Sequence, residues 1–452
     1  MNNIIKQVYL NSPFFIKEIF ANVEAVRRNY YRKRGQYKEN SSSIDISEML
    51  SNYNEEKQIR DFNLLLKHVK ENIPYYRGNL RSNCINSLEE ITLLPLIDKS
   101  RMRENIKDFV NEELLSTFWK GTTSGSTGTP FFYYRDKKSL QFHYALYDKL
   151  CAYFSEGEFK RKARISGVNI LKVEHKKPPY WYFIKLFNQL QCSTYHINAV
   201  TYRDYINAFK KYNIEWGSGY ASAWLHLAEN VLNDKQLIMP KLSTIVTDSE
   251  GLSNEQKFKI ETAFNCPVYQ TYGLSEVGTI AVQCKNNHYH ILTDACHIEI
   301  VDEDGFKVKN GKSGQIVVTD LHSYNAPFIR YLTGDTGIMG NNDCGCGWNG
   351  PYISELCGRV EDYILTLDGT KVKRLGHIAK PAKGVVGMQL IQYKPGFVEI
   401  HVQPRDDFNP ESMNDVIKLS KEYLGNTTVT WKSVESLEKT KSGKIKYVIR
   451  KF

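Results

Sequence analysis

The sequence lacks long apolar runs and a disulfide pattern. No stretch of its 452 residues stays apolar over the length that a bilayer crossing needs. Residues 1–6 lack the continuous apolar core of a signal peptide. The nine cysteines are odd in number and scattered, unlike those of a disulfide framework. We therefore expect a globular cytoplasmic protein whose cysteines are reduced thiols or metal ligands.

The chain is short of acidic residues relative to basic ones. Lys and Arg number 60 against 50 Asp and Glu, which gives a formal net charge of +10. This excess fits nucleic acid, an anionic membrane surface or a solvated Lys-rich exterior. Basic residues cluster around Tyr30 and Tyr31, and they are Arg27, Arg28, Arg32, Lys33 and Arg34. Because nothing else is typical of a nucleic-acid module, we expect no such partner and keep peripheral membrane contact as an open role for this patch.

The order of predicted elements indicates an α/β protein. From about residue 90 to 280, helical stretches such as 202–212 and 253–264 alternate with short β-rich runs. This alternation predicts mostly parallel strands covered by helices, with ligands at the carboxyl ends of the strands. The predicted divisions are a large domain, 1–357, with an N-terminal helical segment, 1–90, and a β subdomain, about 285–357, and a small mobile α+β domain, 358–452.

One loop is rich in small hydroxyl residues and glycine. It reads Thr122, Thr123, Ser124, Gly125, Ser126, Thr127, Gly128, Thr129 and Pro130. Glycines let backbone N–H groups turn toward one anion and the hydroxyls add donors, as phosphate binding requires. Segments 114–119 and 131–134 are predicted to be extended, so that the loop forms the tip of a hairpin. A solvated turn stays the alternative, because the loop lacks the lysine of a Walker A motif.

Cysteine and histidine occur in two pairs around the β subdomain. Five residues separate Cys284 from His290, and one separates Cys344 from Cys346. Thiolates and imidazole are ligands of tetrahedral Zn²⁺, and two pairs from separate turns are typical of a closed structural site. We expect a structural zinc, with reduced surface cysteines as the alternative. Further candidate ligands are His288, Cys296 and Cys357.

Four more segments follow the hydroxyl-rich loop. They are YGLSE at 272–276, RYLTGD at 330–335, GRVED at 358–362 and KSGK at 441–444. Together the five motifs resemble those of the acyl-adenylate-forming enzymes. LPLIDKSRMREN at 94–105, NAPFIRYLTGD at 325–335 and the short C-terminal domain make the chain most similar to the branch of phenylacetate-CoA ligase and the CapK capsular-polysaccharide proteins. The resemblance covers about residues 90–452.

The resemblance implies an ATP site in the large domain. The loop from Thr123 to Thr129 would hold the β- and γ-phosphates, and Glu276 would act in catalysis by helping to place Mg²⁺, for which carboxylates are suitable hard ligands. Tyr272 and Gly273 would line the adenine pocket. The residues opposite them would be Ser249, Glu250 and Gly251. The acyl pocket would include Gly219, Tyr220, Ser222 and Trp224.

The resemblance also assigns roles toward the C-terminus. Asp335 would hydrogen-bond both ribose hydroxyls, and Arg359 would bind ribose or phosphate. Lys444 would be catalytic, placing its ammonium against the reacting carboxylate and the α-phosphate. Glu361 stands at the hinge position, where the family usually has aspartate. The loop departs from many relatives as well, because Thr129 and Phe131 stand where those relatives have a lysine.

These roles predict an adenylate-forming ligase. It would use ATP and Mg²⁺ to convert a carboxylic acid into an acyl-adenylate, and would then pass the acyl group to an acceptor. The branch resemblance leaves CoA and an amino sugar of surface-polysaccharide biosynthesis as alternative acceptors. Two other classes stay open: a nucleotide-binding protein without turnover, and a basic adaptor at a membrane or RNA surface.

Overall fold

The computed structural model divides the chain into two compact units. The first is Met1–Thr333 with Ile338–Glu355, and the second is Gly334–Gly337 with Leu356–Phe452. The residues that the structure describes are 9, 11–123, 131–158, 160–168, 170–171, 175, 177–341, 343–359, 363–372, 375, 378, 381–382, 384–439 and 445–452.

Five of the described α-helices begin at a side chain that caps their first turn. The described α-helices are α1 Phe14–Arg32, α2 Gln36–Ser43, α3 Ile46–Ser51, α4 Glu55–Asn72, α5 Pro74–Asn79, α6 Lys99–Glu104, α7 Lys137–Ser155, α8 Tyr202–Lys211, α9 Ala221–Leu232, α10 Asn254–Phe264 and α11 Ser412–Leu424. Short 3-10 helices cover Leu88–Leu93, Ile106–Phe109, Glu112–Thr117, Lys185–Phe187 and Thr194–His196. Asp98 caps α6 by accepting a hydrogen bond from Arg101 N at 2.7 Å. Within the described ranges, no helix combines the length and apolarity that spanning a membrane requires.

The strands alternate with helices in the middle of the chain and follow one another later. They are β1 Trp119–Thr123, β2 Phe131–Arg135, β3 Lys162–Ser166, β4 Trp181–Ile184, β5 Gln189–Ser193, β6 Trp216–Tyr220, β7 Ile245–Asp248, β8 Val268–Leu274, β9 Gly278–Gln283, β10 Tyr289–Ile291, β11 Cys296–Val301, β12 Ser313–Asp320, β13 Tyr331–Met339, β14 Tyr352–Arg359, β15 Ile364–Leu365, β16 Lys371–Val372, β17 Val385–Lys394, β18 Phe397–Pro404, β19 Thr428–Ser433 and β20 Val448–Arg450.

A twelve-stranded sheet organises the first unit. Its order is β11-β12-β13-β14-β10-β9-β8-β7-β6-β3-β5-β4. The run from β8 through β7, β6 and β3 to β5 is parallel, whereas β9 and β10 continue from β8 in antiparallel pairs. The predicted fold class is thus confirmed. The predicted boundary after residue 357 falls inside β14 and stays a prediction for independently folding domains.

The parallel part of the sheet buries an aromatic and aliphatic core. Phe209 of α8, Trp224 of α9 and Phe264 of α10 are buried against Ile165 and Ile245 of the strands. These helices follow β5, β6 and β7 in the chain, so each βαβ crossover covers the sheet with an apolar helix face.

A hairpin precedes the main sheet. β1 and β2 pair antiparallel, with Thr123 opposite Phe131, so the strands end where the hydroxyl-rich loop begins and ends. Residues 124–130 lie outside the described residues. The extended conformation predicted for 114–117 is wrong, because Glu112–Thr117 forms a 3-10 helix that Asn111 caps through Glu113 N at 3.2 Å.

The second unit contains its own α+β core. Its four-stranded sheet has the order β19-β18-β17-β20, with β17 and β18 antiparallel. Helix α11 buries Met413, Val416 and Leu424 in the same cluster as Leu390 and Ile400 of the sheet. This apolar cluster explains why so short a segment holds a sheet and a helix together.

Candidate active site and metal centre

Glu276 is a buried carboxylate in the turn between β8 and β9. Its side chain is enclosed, with only 2% of the residue exposed. Tyr331 Oη donates a hydrogen bond to Glu276 Oε1 at 2.8 Å, and Lys99 Nζ lies 3.5 Å from the same oxygen. Burial raises the pKa of Tyr133 in β2 to about 12, and the negative charge of Glu276 adds to this shift. The carboxylate therefore lies close to the hairpin that carries the hydroxyl-rich loop.

Lys99 was not among the predicted site residues. It begins α6, directly after Asp98, which caps that helix. Ile97 N donates to Arg330 O at 3.0 Å and Leu332 N donates to Ile97 O at 2.8 Å, so this segment pairs with the start of β13. The pairing brings Lys99 and Tyr331 to one carboxylate. The sequence feature that could have identified Lys99 is the motif at 94–105, in which this lysine directly follows the helix cap Asp98.

Arg330 links the two chain segments that carry Lys99 and Tyr331. Its guanidinium is buried and makes two hydrogen bonds to Glu299, Nε to Oε2 at 3.0 Å and Nη2 to Oε1 at 2.9 Å. The other donors reach the carbonyl oxygens of Thr92, Leu94 and Gly305 at 2.9 to 3.0 Å. All five guanidinium N–H groups are thus used, and the chain before Lys99 is fixed against β11 and β13.

The predicted adenine-side and acyl-side residues meet at the carboxyl ends of β6 and β7. Glu250 Oε2 accepts a hydrogen bond from Ser222 N at 2.9 Å, so this carboxylate caps the first turn of α9. Ser249 Oγ donates to Asp248 Oδ1 at 3.0 Å, and Arg164 Nη1 donates to Asp248 Oδ2 at 2.8 Å. Burial alone would raise the pKa of Asp248, but Arg164 holds it below its usual range. These contacts place an ordered acidic turn beside the start of α9.

Two glycines in this region leave no room for a side chain. A Cβ on Gly219 would lie 2.0 Å from Ile165 O, and one on Gly273 would lie 2.4 Å from Gly278 O. Gly219 also has a φ of 115°. Tyr220 is half-buried at the end of β6, and Tyr272 is half-buried beside a bulge in β8. Both tyrosines stay predicted pocket residues.

Trp224 occupies the core instead of an open pocket. Its side chain is fully buried, its ring packs near Phe209 and Phe264, and its Nε1 donates to Ser218 O at 2.8 Å. The ring takes this place because α9 turns that face toward the sheet. This packing corrects its assignment as an acyl-pocket residue. Gly251, in contrast, faces open space, since an added Cβ would meet nothing within 4 Å.

Asp335 and Arg359 come together in the second unit. Arg359 Nε lies 2.8 Å from Asp335 Oδ1, and the carboxylate is the less exposed partner. Gly334 and Gly358, which precede them, have φ values of 82° and 93°. Glycine adopts positive φ values without the strain that a Cβ would add. Glu361, Lys444 and the loop residues Ser124, Gly125, Ser126, Thr127, Gly128 and Thr129 lie outside the described residues, as does the side chain of Thr123.

The four predicted metal ligands form one buried cluster. Cys284, His290, Cys344 and Cys346 place one ligand atom each within 4.8 Å of all the others. Cys284 Sγ lies 3.6 Å from Cys344 Sγ, and Cys346 Sγ lies 3.3 Å from His290 Nε2. Tetrahedral Zn²⁺ with Zn–S bonds of about 2.3 Å separates two thiolates by about 3.8 Å. The donor set and spacing therefore fit zinc.

The surroundings of the cluster suit an enclosed metal. His288 Nδ1 lies 3.2 Å from Cys344 Sγ, and Trp348 N donates to Cys346 Sγ at 3.3 Å. Burial and the neighbouring thiols raise the pKa of Cys344 to about 12, and burial lowers the pKa of His290. His288 thus contacts the cluster without belonging to the group of four candidate ligands. Cys296 is buried elsewhere, with its thiol directed to Ile280 O.

Comparison with known sequences relates the chain to CapK proteins. Residues 364–451 match the family of the CapK C-terminal domain. Protein CapK of Staphylococcus aureus is 23% identical, over 99% of this chain and 99% of the relative. The phenylacetate-coenzyme A ligase of Thermus thermophilus is 32% identical over 99 residues, which are 21% of this chain and 22% of the relative.

Comparison with solved structures confirms the fold. A crystal structure of 2-hydroxyisobutyryl-CoA ligase with R3-HIB-AMP has a TM-score of 0.67 at 16% identity, covering 88% of this chain and 89% of that chain. The anthranilate CoA ligase AuaEII with anthranoyl-AMP has a TM-score of 0.51 at 14% identity, covering 72% and 65%. Both are adenylate-forming ligases, and the likeness at this identity concerns the fold.

Proposed function

Because this chain is a homologue of CapK with the fold of the adenylate-forming ligases, we propose that it is an ATP-dependent ligase that activates a carboxylic acid as an acyl-adenylate. The observation that carries the proposal is the buried Glu276 carboxylate, approached by Tyr331 and Lys99. A buried acid of this kind suits a site that must bind a cation and phosphate together.

In the proposed first step, a substrate carboxylate attacks the α-phosphorus of ATP and pyrophosphate leaves with the electrons of the broken P–O bond. Glu276 would hold Mg²⁺, which when bound neutralises charge on the phosphates. Tyr331 orients the Glu276 carboxylate through its 2.8 Å hydrogen bond. Lys99 supplies a cation near this carboxylate, which offsets the missing lysine of the hydroxyl-rich loop.

The remaining roles are proposals for binding the nucleotide. Residues 123–129 would present N–H and hydroxyl donors to the β- and γ-phosphates. Asp335 would accept the ribose hydroxyls while Arg359, 2.8 Å away, orients its carboxylate. Lys444 would contact the α-phosphate, and Glu361 would serve as the hinge.

The acceptor in the second step is proposed to be the thiol of CoA. The names of the phenylacetate-coenzyme A ligase and of the two solved ligases support this choice. An amino sugar of surface-polysaccharide biosynthesis is the second candidate, because the relationship that spans the whole chain is with CapK. Thioester and amide formation both begin from the acyl-adenylate, so the choice leaves the first step unchanged.

We propose that the cysteine–histidine cluster binds a structural Zn²⁺. Cys284, His290, Cys344 and Cys346 would fill four coordination positions, which leaves none for a substrate or water. When bound, the metal would tie the turn after β9 and strand β10 to the segment before β14.

The proposed activity is tested by ATP–pyrophosphate exchange with Mg²⁺ and pooled aryl, fatty, hydroxy and amino acids. Exchange with one pool, lost in Glu276→Gln and Lys444→Ala and kept in Lys421→Ala, is the expected result. Lys421 is an exposed lysine of α11 and serves as the matched control. The assay needs no acceptor, so it separates the first step from the second.

The same assay distinguishes the alternative functions. A folded protein that neither exchanges pyrophosphate nor binds ATP would contradict the proposal. ATP binding without exchange in any pool would favour a nucleotide-binding protein without turnover. Peripheral membrane contact through the basic N-terminal segment is a separate part of the proposal, because it does not involve the residues of the proposed adenylation site. A cytoplasmic location stays a prediction.

A further inference from the structure

Helix α1 turns its apolar side away from the protein. Seven of its large apolar side chains are between 42% and 63% exposed, and we call them the apolar face of α1: Phe15, Ile16, Ile19, Phe20, Val23, Val26 and Tyr30. At 3.6 residues per turn, these positions fall within an arc of about 140°. Helices of soluble proteins direct such an arc toward the core, and contiguous exposed apolar surface marks a binding surface.

The opposite side of α1 is held by contacts with the rest of the first unit, and these contacts fix the rotation of the helix about its axis. Ala21 and Ala25 are buried in its core. Asn22 Nδ2 donates to Phe183 O at 3.0 Å, and Asn22 Oδ1 accepts from Lys185 N at 3.0 Å. Glu18 Oε1 accepts from Phe183 N at 3.1 Å. Apart from Phe14 at its start, the helix thus faces the core with small and polar residues and solvent with its large apolar residues.

Cations border the apolar face at its C-terminal end. Arg34 lies over the Tyr30 ring at 4.3 Å, and Arg32 lies over the Tyr144 ring at 4.4 Å. Arg27 and Arg28 both pair with Glu24. Arg27, Arg28 and Arg34 are exposed at this end, with Glu24 as the carboxylate that pairs with the first two. Arg32 and Lys33 are half-buried, Arg32 against Tyr144 and Lys33 against Asp148. The surface therefore keeps an excess of positive charge.

We infer that α1 binds an anionic lipid bilayer by lying in its surface with the apolar face inserted. Apolar insertion beside cations is how interfacial helices bind, and tyrosine and arginine suit the boundary between acyl chains and headgroups. The sequence indicated only an electrostatic patch, whereas the structure adds the exposed apolar arc. A second copy of the chain fits less well, because it would bring the same excess of cations to the interface.

Flotation of the full chain tests this inference with neutral phosphatidylcholine vesicles and vesicles of about one-third phosphatidylglycerol. The parent should float with the anionic vesicles. Ile19→Ser with Val23→Ser should weaken binding at least about tenfold, because two inserted aliphatic side chains are lost without a change of charge. Arg28→Gln with Arg34→Gln should weaken binding about tenfold or more and reduce its salt dependence.

The matched control is Val200→Ser with Ile238→Ser, two apolar residues outside α1 that are 86% and 76% exposed. This variant should bind as the parent does. All variants change exposed side chains, so their thermal midpoints should equal that of the parent. In a second measurement, Val26→Trp should add a blue-shifted emission that brominated lipid quenches, as insertion requires.

Three results would overturn the inference. Undiminished binding of the Ile19→Ser, Val23→Ser variant would mean that charge alone acts. Absence of vesicle binding together with a dimer that this variant dissociates would assign the face to self-association. RNA binding without vesicle binding would assign the cations to RNA. None of the residues substituted in this test belongs to the proposed adenylation site. ATP–pyrophosphate exchange therefore tests the adenylation proposal independently of membrane binding.

Discussion

At the scale of single residues, the Glu276 carboxylate defines the proposed chemistry through two contacts. Tyr331 donates a hydrogen bond to it, and Lys99 brings a positive charge to the same oxygen. Neither partner is near Glu276 in sequence. The site is therefore a product of the pairing between Ile97 and the backbone around Tyr331.

The charge of Lys99 should matter for catalysis. Lys99→Met keeps the length of the side chain but removes the cation, and we expect the rate of ATP–pyrophosphate exchange to fall about 100-fold. Lys107→Met is the control, since Lys107 is exposed and pairs only loosely with Glu112, at 3.8 Å. Equal rates for Lys99→Met and the parent would remove Lys99 from the proposed mechanism.

Substitution by alanine should affect the free energy of unfolding very differently at two glycines of the proposed nucleotide pocket. Gly273→Ala places a Cβ against the Gly278 carbonyl, a backbone atom that cannot turn away. We expect a loss of about 2 kcal/mol or more in the free energy of unfolding. Gly251→Ala meets open space and should change that free energy by less than about 0.5 kcal/mol. Urea unfolding monitored by tryptophan fluorescence measures both changes, and a loss for Gly273→Ala as small as that for Gly251→Ala would show that the pocket backbone adapts freely.

At the scale of elements, the clustering of the four proposed metal ligands was predictable from residue spacing. The Cys284–His290 and Cys344–Cys346 pairs lie on separate segments, and the antiparallel pairing of β10 with β9 and β14 brings those segments together. The caps and apolar periodicity of α4 and α10 were equally local signals. Contacts between segments far apart in the chain were not predictable in this way. Lys99 was therefore not predicted as a site residue, because only the pairing of its segment with β13 brings it to Glu276.

Zinc should stabilise this element, and more strongly at higher pH. The pKa of Cys344 is raised to about 12 by burial and its thiol neighbours, so binding must release thiol protons. The gain in melting temperature on adding zinc should therefore grow from about pH 6 to about pH 8. Metal analysis should find about one zinc per chain.

Cys344→Ser should abolish both the bound zinc and the gain in melting temperature, whereas Cys84→Ser, at an exposed cysteine, should keep them. A chelator that leaves the melting temperature unchanged, with no zinc found, would favour reduced cysteines.

At the scale of the whole molecule, buried histidines should set the response to acid. Burial lowers the pKa of His297 to about 3 and that of His322 to about 4. Below an unfolded value of about 6.5, the unfolded chain binds protons that the folded chain does not, so stability is lost as pH falls. We expect a loss of about 2 to 4 kcal/mol between about pH 6.5 and about pH 5.

His297→Asn tests this origin of acid sensitivity. Asparagine can preserve the 3.1 Å contact of His297 Nδ1 with Gln58 Oε1 but does not titrate. The dependence of unfolding free energy on pH should become about half as steep over that range. The exposed His175→Asn should leave the slope unchanged. A His297→Asn slope equal to that of the parent would place acid sensitivity in other groups.

The whole-molecule architecture followed from sequence more readily than the site did. Alternation of helices with β-rich runs gave the parallel sheet, because each crossover leaves a local apolar pattern in the chain. Trp224 shows the limit: its position in α9 allowed either a pocket or the core, and only packing against Phe209 and Phe264 decides. The 3-10 helix at Glu112–Thr117 is a second case, because its apolar residues allowed an extended segment and the structure shows a turn capped by Asn111.

The side chains that fasten α1 have a second consequence, for solubility. β4 is the last strand at one edge of the twelve-stranded sheet, and Glu18 and Asn22 occupy the outward N–H and C=O groups of Phe183. An edge strand with vacant groups recruits strands from other molecules. Glu18→Ala with Asn22→Ala should therefore promote strand addition and aggregation, seen as growing light scattering in a chain that still folds. The helix that we assign to the membrane thus also keeps the sheet from growing.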